Sequence, residues 1–247
     1  MAEDGIKSFW RETAQVLKRE GVFAAVKKVR RAAKEEIRIL FRIKCVEKES
    51  QLAKKYCKGR GLEIGGAAHN PFNLDTLNVD YTSELNEFKR MEIRKCFRHL
   101  PVDIVAPRDN IPLPDESQDF IVSSHVLEHF FDPMKTLMEW ERLIKKGGVI
   151  FMIIPHRDRT FDSGRERTTL RELIDRHEGR AEERPSPNNH HSVWITEDVA
   201  ELVEYMNKRG YFKTPLIIAE AQDVDDKAGN GFTVVLAKEH SRQEKRM

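Results

Sequence analysis

Apolar positions follow two regimes along the chain. Over residues 6–57 they recur at helical spacing. Phe9, Trp10, Thr13, Val16 and Leu17 share one face, and after Gly21 the series Val22, Val26, Val29, Ala33, Ile37, Leu40 and Phe41 continues. The opposite face carries Lys27, Lys28, Arg30, Arg31, Lys34 and Arg38. From residue 61 onward the pattern changes to short apolar runs of strand length: 61–64, 77–80, 102–105, 119–124, 149–154, 216–220 and 232–237. The run Val149-Ile150-Phe151-Met152-Ile153-Ile154 is apolar throughout, as a central parallel strand is. Helices are predicted between these runs over 83–99, 133–144, 169–177 and 196–206. Lys145-Lys146-Gly147-Gly148 ends the second of them, and Thr196 is the expected N-cap of the last, with Glu197 and Asp198 in its first turn. Prolines and polar residues make 111–117 and 178–189 loops, and 238–247 reads as a charged, frayed tail. Strand and helix alternate, so the class is α/β with helices on both faces. A helical arm over 1–58 precedes a domain over 59–247.

Composition narrows this picture in two ways. The 247 residues suit one domain of about 150–200 residues plus an extension. Cys45, Cys57 and Cys96 are too few and too scattered for a disulfide framework or a zinc knuckle, which points to a reducing compartment. No apolar run is long enough to span a bilayer and no signal-peptide pattern opens the chain, so a cytoplasmic location is expected. Net charge is +2, but it is unevenly placed: residues 1–58 hold 16 Lys and Arg against 8 Asp and Glu, and the remainder 27 against 33. A basic amphipathic helix can pack as a lid or a homodimerisation arm, or make peripheral contact with an anionic membrane. It can also bind nucleic acid, but no nucleic-acid signature accompanies it, so no nucleic-acid partner is expected.

Candidate chemistry begins at Gly61-Leu62-Glu63-Ile64-Gly65-Gly66-Ala67-Ala68-His69, a strand running into a turn of small residues. Glycine there permits positive φ and close approach of a ligand. Asp80 ends the next strand, placed to accept hydrogen bonds from ribose hydroxyls. A complete GxGxxG is absent, so a dinucleotide is not indicated.

Further residues extend the pattern. Ile111-Pro112-Leu113-Pro114-Asp115-Glu116-Ser117-Gln118-Asp119-Phe120 is followed by Ser124-His125-Val126-Leu127-Glu128-His129 and by Leu143-Ile144-Lys145-Lys146-Gly147-Gly148. With Leu62-Glu63-Ile64-Gly65 and Asp80, these make residues 59–155 resemble the class I S-adenosylmethionine-dependent methyltransferases, type 11-like. The resemblance implies a Rossmann-like seven-stranded, mostly parallel sheet whose last strand is antiparallel, and S-adenosylmethionine as cofactor. It implies that Glu63, Gly65, Gly66 and Ala67 sit by the methionine end and that Asp80 binds the ribose. Ser124 and His125 would line the methyl-transfer cleft. The sequence departs from the family pattern at Ala67 and His69, which stand where glycines are usual, and at Pro107, where an adenine-contacting acid is usual. Asp109 or Asn110 would take over that contact.

His125-Val126-Leu127-Glu128-His129 also fits the H-x-x-E-H spacing of inverzincin proteases. Those histidines lie within a helix, whereas this motif leaves a strand, so zinc proteolysis is set aside and His129 is expected to be a packed histidine.

The stretch from 156 to 193 leaves a central strand where α/β folds place ligands, and it is dense in Arg, Asp and His. It is the expected acceptor site, with Arg159, Arg165 and His191 as substrate-binding residues. The segment more loosely resembles methyltransferases found among glycan-assembly enzymes, which implies a small polar acceptor such as a saccharide. A hydroxyl nucleophile gains from a general base, and the candidates are His156, ranked first, with His125, His190 and His191. No metal ligands are assigned, because the spacing of His156, Asp158, His190 and His191 is not diagnostic. The expected function is O-methylation. The rivals are methylation of nitrogen or carbon on another metabolite, and a non-catalytic scaffold that keeps the fold.

Overall fold

The structure, a computed structural model, describes residues 10, 13–18, 21–40, 48–66, 71–107, 109–186 and 189–239. Phe9, Phe41, Cys45, Ala67, His69 and the tail beyond 239 lie outside them. The chain forms two compact units: 1–46 with 87–98, and 47–86 with 99–247.

In the first unit residues 13–18 are helical, Gly21 turns at a φ of 86°, and helix α1 follows over Val22–Leu40. Val22, Val26 and Ile37, expected on a packed face, are exposed, as is Phe23.

The second unit opens with α2, Gln51–Tyr56, whose N-cap Ser50 accepts from the Ala53 amide. Strands β1, Gly61–Ile64, and β2, Thr76–Asp80, follow. Helix α3, Glu87–Cys96, belongs to the first unit. Then come β3, Ile104–Val105, shorter than its apolar run, and β4, Gln118–Ser124. A 3₁₀ turn, Leu127–His129, leads to α4, Pro133–Leu143, capped by Asp132. Strand β5, Ile144–Pro155, starts directly at the helix end, so Lys145–Gly148 lies inside a strand and not in a separate turn. Helices α5, Leu170–His177, and α6, Thr196–Arg209, precede β6, Leu216–Gln222, and β7, Gly231–Lys238.

Thr169 and Glu172 form the reciprocal cap of α5. The cap of α6 is Ile195 and not Thr196. The Asp198 carboxylate reaches back to the Ile195 amide at 2.9 Å, while the Thr196 hydroxyl donates to Asp223.

The strands form one sheet in the order β3-β2-β1-β4-β5-β7-β6. Only β7 runs against its neighbours. Alternation along the central strands serves two cores. Phe120, Val122, Phe151 and Ile153 pack with Leu52 and Ala53 of α2 on one face. Ile121, Ile150, Met152 and Ile154 pack on the other with Leu137 and Trp140 of α4 and Val199, Leu202 and Met206 of α6. Each such side chain, fully buried, contributes about 1.5–3 kcal/mol of transfer free energy. Among the described residues no helix is long and apolar enough to cross a membrane.

Candidate active site

Because β1, β2, β4 and β5 run parallel, their C-terminal ends share one edge of the sheet. Gly65 leaves β1 at a φ of 69°, and its amide donates to the Val79 carbonyl at 2.8 Å. A Cβ on Gly65 would lie 2.8 Å from Val126 Cγ2, and one on Gly66 2.9 Å from Asn78 Oδ1 and 3.0 Å from Glu63 Cγ. A side chain at either position would press on Val126, or on Asn78 and Glu63, so the turn is packed tightly against its own neighbours. Glu63 is buried in β1, and the Thr76 hydroxyl donates to its carboxylate at 3.4 Å. Asp80, also buried, ends β2 and accepts from the Tyr81 amide at 2.6 Å. A glycine cradle flanked by two buried carboxylates could hold the amino-acid and ribose ends of a nucleoside cofactor. Asp109 pairs with Lys135 at 2.9 Å, and the neighbouring Asn110 is exposed.

Ser124 ends β4 opposite Ile153 of β5. His125 follows with a φ of 54°, its amide held by the Ile153 carbonyl at 2.9 Å. A non-glycine residue in that conformation is costly. Here it turns the ring off the strand end and leaves the side chain 31% exposed. Burial pushes the His125 imidazole below its ordinary value, against the pull of Asp225.

The stretch after β5 is sewn to the sheet rather than laid loosely over it. His156 bridges Trp194, the Arg157 amide donates to the Trp194 carbonyl, and the Thr168 amide to the Val193 carbonyl. His156 is not free to act as a base. It is buried, its Nδ1 accepts from the Asp158 amide at 3.1 Å, and its Nε2 lies 3.6 Å from Asp223. With Nδ1 accepting, the proton of the neutral ring sits on Nε2, and no lone pair remains for a substrate. Arg159 is likewise engaged, pairing with Asp223 at 3.0 Å and donating to its carbonyl. Arg165 pairs with Asp162 at 2.5 Å and donates to the His190 carbonyl at 3.0 Å. His191 lies 3.2 Å from Glu183, and burial lowers its pKa.

The second histidine group forms elsewhere. His190 is buried, with Nδ1 2.8 Å from Asp162 and Nε2 3.7 Å from Glu128. Glu128 is fully buried and also lies 3.9 Å from His125 Nδ1 and 3.7 Å from His129 Nε2. The site thus gathers His125 and His190 but leaves His156, Arg159 and His191 in separate contacts. Sequence reasoning assigned no role to Glu128 or Asp162. The H-x-x-E-H spacing was the one signal for Glu128, and the pairing of Asp162 with His190 depends on residues 28 apart.

Asp225, in the loop joining β6 and β7, was not anticipated either. It is buried and accepts four backbone N–H groups, from Lys227, Ala228, Gly229 and Gly231. This loop also meets the site: the His156 amide donates to the Asn230 carbonyl, and the Asn230 side chain hydrogen-bonds His125.

Comparison with known proteins supports the reading of this edge. Residues 57–152 match the family model described as a methyltransferase domain. An uncharacterized protein of Methanocaldococcus jannaschii is 36% identical over 104 residues, covering 41% of this chain and 47% of that protein. The ubiquinone/menaquinone biosynthesis C-methyltransferase of a Geobacter species is 30% identical over 93 residues, 37% of this chain and 39% of that one. A Mycolicibacterium smegmatis protein named "Probable S-adenosylmethionine-dependent methyltransferase" is 39% identical over 56 residues, 23% of this chain and 21% of that one. The chain therefore spans less than half the length of each of these relatives. The family match, that last name and the observed sheet support a class I methyltransferase domain over residues 57–152, with S-adenosylmethionine as its cofactor.

Proposed function

We propose that the protein transfers a methyl group from S-adenosylmethionine to a hydroxyl of a small polar acceptor, a saccharide being the leading candidate. The observation that carries the proposal is the glycine cradle at Gly65 and Gly66 between the buried carboxylates of Glu63 and Asp80. When bound, the cofactor supplies an electrophilic methyl group on a sulfonium, already activated for displacement. Glu63 would face its ammonium end, Gly66 would sit beside its methionine end, and Asp80 would accept from its ribose hydroxyls. Asp109 and Asn110 would reach its adenine end, and Ser124 would line the cleft. Of the candidate bases, His125 combines a place at a strand end with a partly exposed ring. It holds the acceptor hydroxyl in line, and such positioning can contribute much of the rate.

The polar character of the acceptor is supported by the 156–193 segment. A cleft of about 610 Å³ between this segment and α6 is lined by Arg157, Glu166, Arg167, Thr168, Thr169, Leu170, Arg171, Asp198 and Glu201. Its mixed charges and hydroxyls suit a hydroxyl-rich group. The exposed Val22, Phe23 and Val26, beside Lys27, Lys28 and Arg30, further support peripheral contact of α1 with an anionic membrane.

The test is transfer of an isotopically labelled methyl group to a panel of sugars, sugar phosphates, amines and enolisable carbon acids. Label should appear on a hydroxyl, and His125→Ala should keep cofactor binding while losing transfer at least tenfold. Label on amines or carbon alone would replace O-methylation with one of its rivals. No turnover despite cofactor binding would favour the scaffold.

A further inference from the structure

We infer that Glu128, His129 and His190 form a site for a divalent transition metal of the zinc type. One ligand atom from each lies within 4.8 Å of the other two. Glu128 Oε1 is 3.7 Å from both His129 Nε2 and His190 Nε2. Those gaps are too long for hydrogen bonds. They are close to what a metal needs: bonds of about 2.0–2.1 Å put neighbouring ligand atoms about 3.3 Å apart in a tetrahedron. Both gaps to Glu128 need to shorten by about 0.4 Å and the third pair, within 4.8 Å, by up to about 1.5 Å, which calls for rotation of the partly exposed His129 ring.

The outer contacts fix the donors. His129 Nδ1 lies 3.0 Å from the Asn189 carbonyl, which can only accept, so that nitrogen carries the proton. His190 Nδ1 lies 2.8 Å from Asp162, whose carboxylate also pairs with Arg165. With Nδ1 engaged in both rings, Nε2 is the atom turned toward Glu128 and the one that would bind an ion. Both Nε2 atoms and the buried Glu128 carboxyl group thus converge on one small volume, the placement that three ligands of one ion require. A carboxylate or backbone carbonyl behind each imidazole is the arrangement that orients histidine ligands on metals. Two histidines and one glutamate are also a recognised zinc set that leaves a fourth position open.

Burial and backbone support the same reading. Glu128 is inaccessible and the His190 side chain is 6% exposed, but that of His129 is 32% exposed and gives the ion a way in. The ligands come from two segments some sixty residues apart that are already tied together. The Glu128 carbonyl accepts from the amides of His191 at 2.8 Å and Ser192 at 3.2 Å. A bound ion would lock the 156–193 segment to the turn after β4. This inference does not rest on the methyltransferase reading.

The test uses the full chain, stripped of metal by chelator and titrated with Zn²⁺ against a chromophoric competitor, with Co²⁺ as a spectroscopic probe. The expected result is one equivalent of tightly bound Zn²⁺, a Co²⁺ visible spectrum of low-symmetry character, and a higher melting temperature with metal. His129→Gln and His190→Gln should each weaken binding at least tenfold. Asp162→Asn, which touches no metal, should weaken it about 10- to 100-fold. Because His129 is partly exposed, its variant should fold even if a buried one does not. No stoichiometric binding, or binding unchanged in His129→Gln, would overturn the inference. Calorimetry with S-adenosylmethionine on the same preparations separates this failure from failure of the cofactor site.

Discussion

The Asp225→Asn substitution should destabilise the protein by an amount that depends on pH. Asp225 is 3% exposed and its carboxylate accepts four backbone amides, two on each oxygen. Asparagine keeps the shape but turns one oxygen into an amino group facing two N–H donors. A buried donor left without an acceptor costs about 1–3 kcal/mol; with two donors affected, and most of the four only partly buried and so at the low end of that range, a loss of about 2–4 kcal/mol is expected near pH 7. Burial alone would raise the Asp225 pKa, but the four amides outweigh it and hold the group below its ordinary carboxylate value. A depressed folded pKa contributes stability that is present above the unfolded pKa and is lost as pH falls through the folded one. The gap between wild type and variant should therefore be full at neutral pH and shrink below about pH 4. Urea denaturation of both proteins near pH 7 and near pH 3 measures it. A gap below about 0.5 kcal/mol at neutral pH, or one that does not change with acid, would refute the reasoning.

Three further outcomes follow from single contacts. Gly65→Ala places a Cβ 2.8 Å from Val126 Cγ2 on a backbone with a φ of 69°, and should cost about 2–4 kcal/mol in urea denaturation. Lys238→Met strands the buried Glu141, its partner at 2.8 Å, and should cost about 3–5 kcal/mol; adding Glu141→Gln should restore part of the loss, and a strictly additive double variant would count against the pair. Burial, with the nearby Glu63 charge, pushes the Cys57 thiol up to about 12, so peptide mapping after alkylation of the native protein near pH 8 should find it unmodified.

Much of the fold could be read from the sequence because it rests on local signals. The runs Asp119–Ser124 and Val149–Ile154 were strands wherever the chain placed them. Departures came where a distant residue decided. Thr196 lost its capping role because Asp198 supplies the cap and Asp223 takes the Thr196 hydroxyl. His156 was a plausible base by position, yet its ring is fixed by the Asp158 amide and faces Asp223, far along the chain. Glu128 drew little notice because its surroundings depend on the return of residues 189–192 to the turn after β4. The places of Glu63, Gly65, Gly66 and Asp80 in the fold were therefore more legible than the surroundings of the histidines. Glu63, Gly65, Gly66 and Asp80 stand at strand ends that the apolar pattern itself locates. The histidines depend on contacts made across loops.

The central claim is that this sheet edge binds S-adenosylmethionine. Titration calorimetry of the wild type and Asp80→Ala with S-adenosylmethionine and S-adenosylhomocysteine tests it most directly. The account predicts saturable binding of both ligands by the wild type, weakened by about 1–3 kcal/mol in Asp80→Ala, which is roughly 5- to 150-fold in affinity. Absence of heat with either ligand, or binding that Asp80→Ala leaves unchanged, would contradict it.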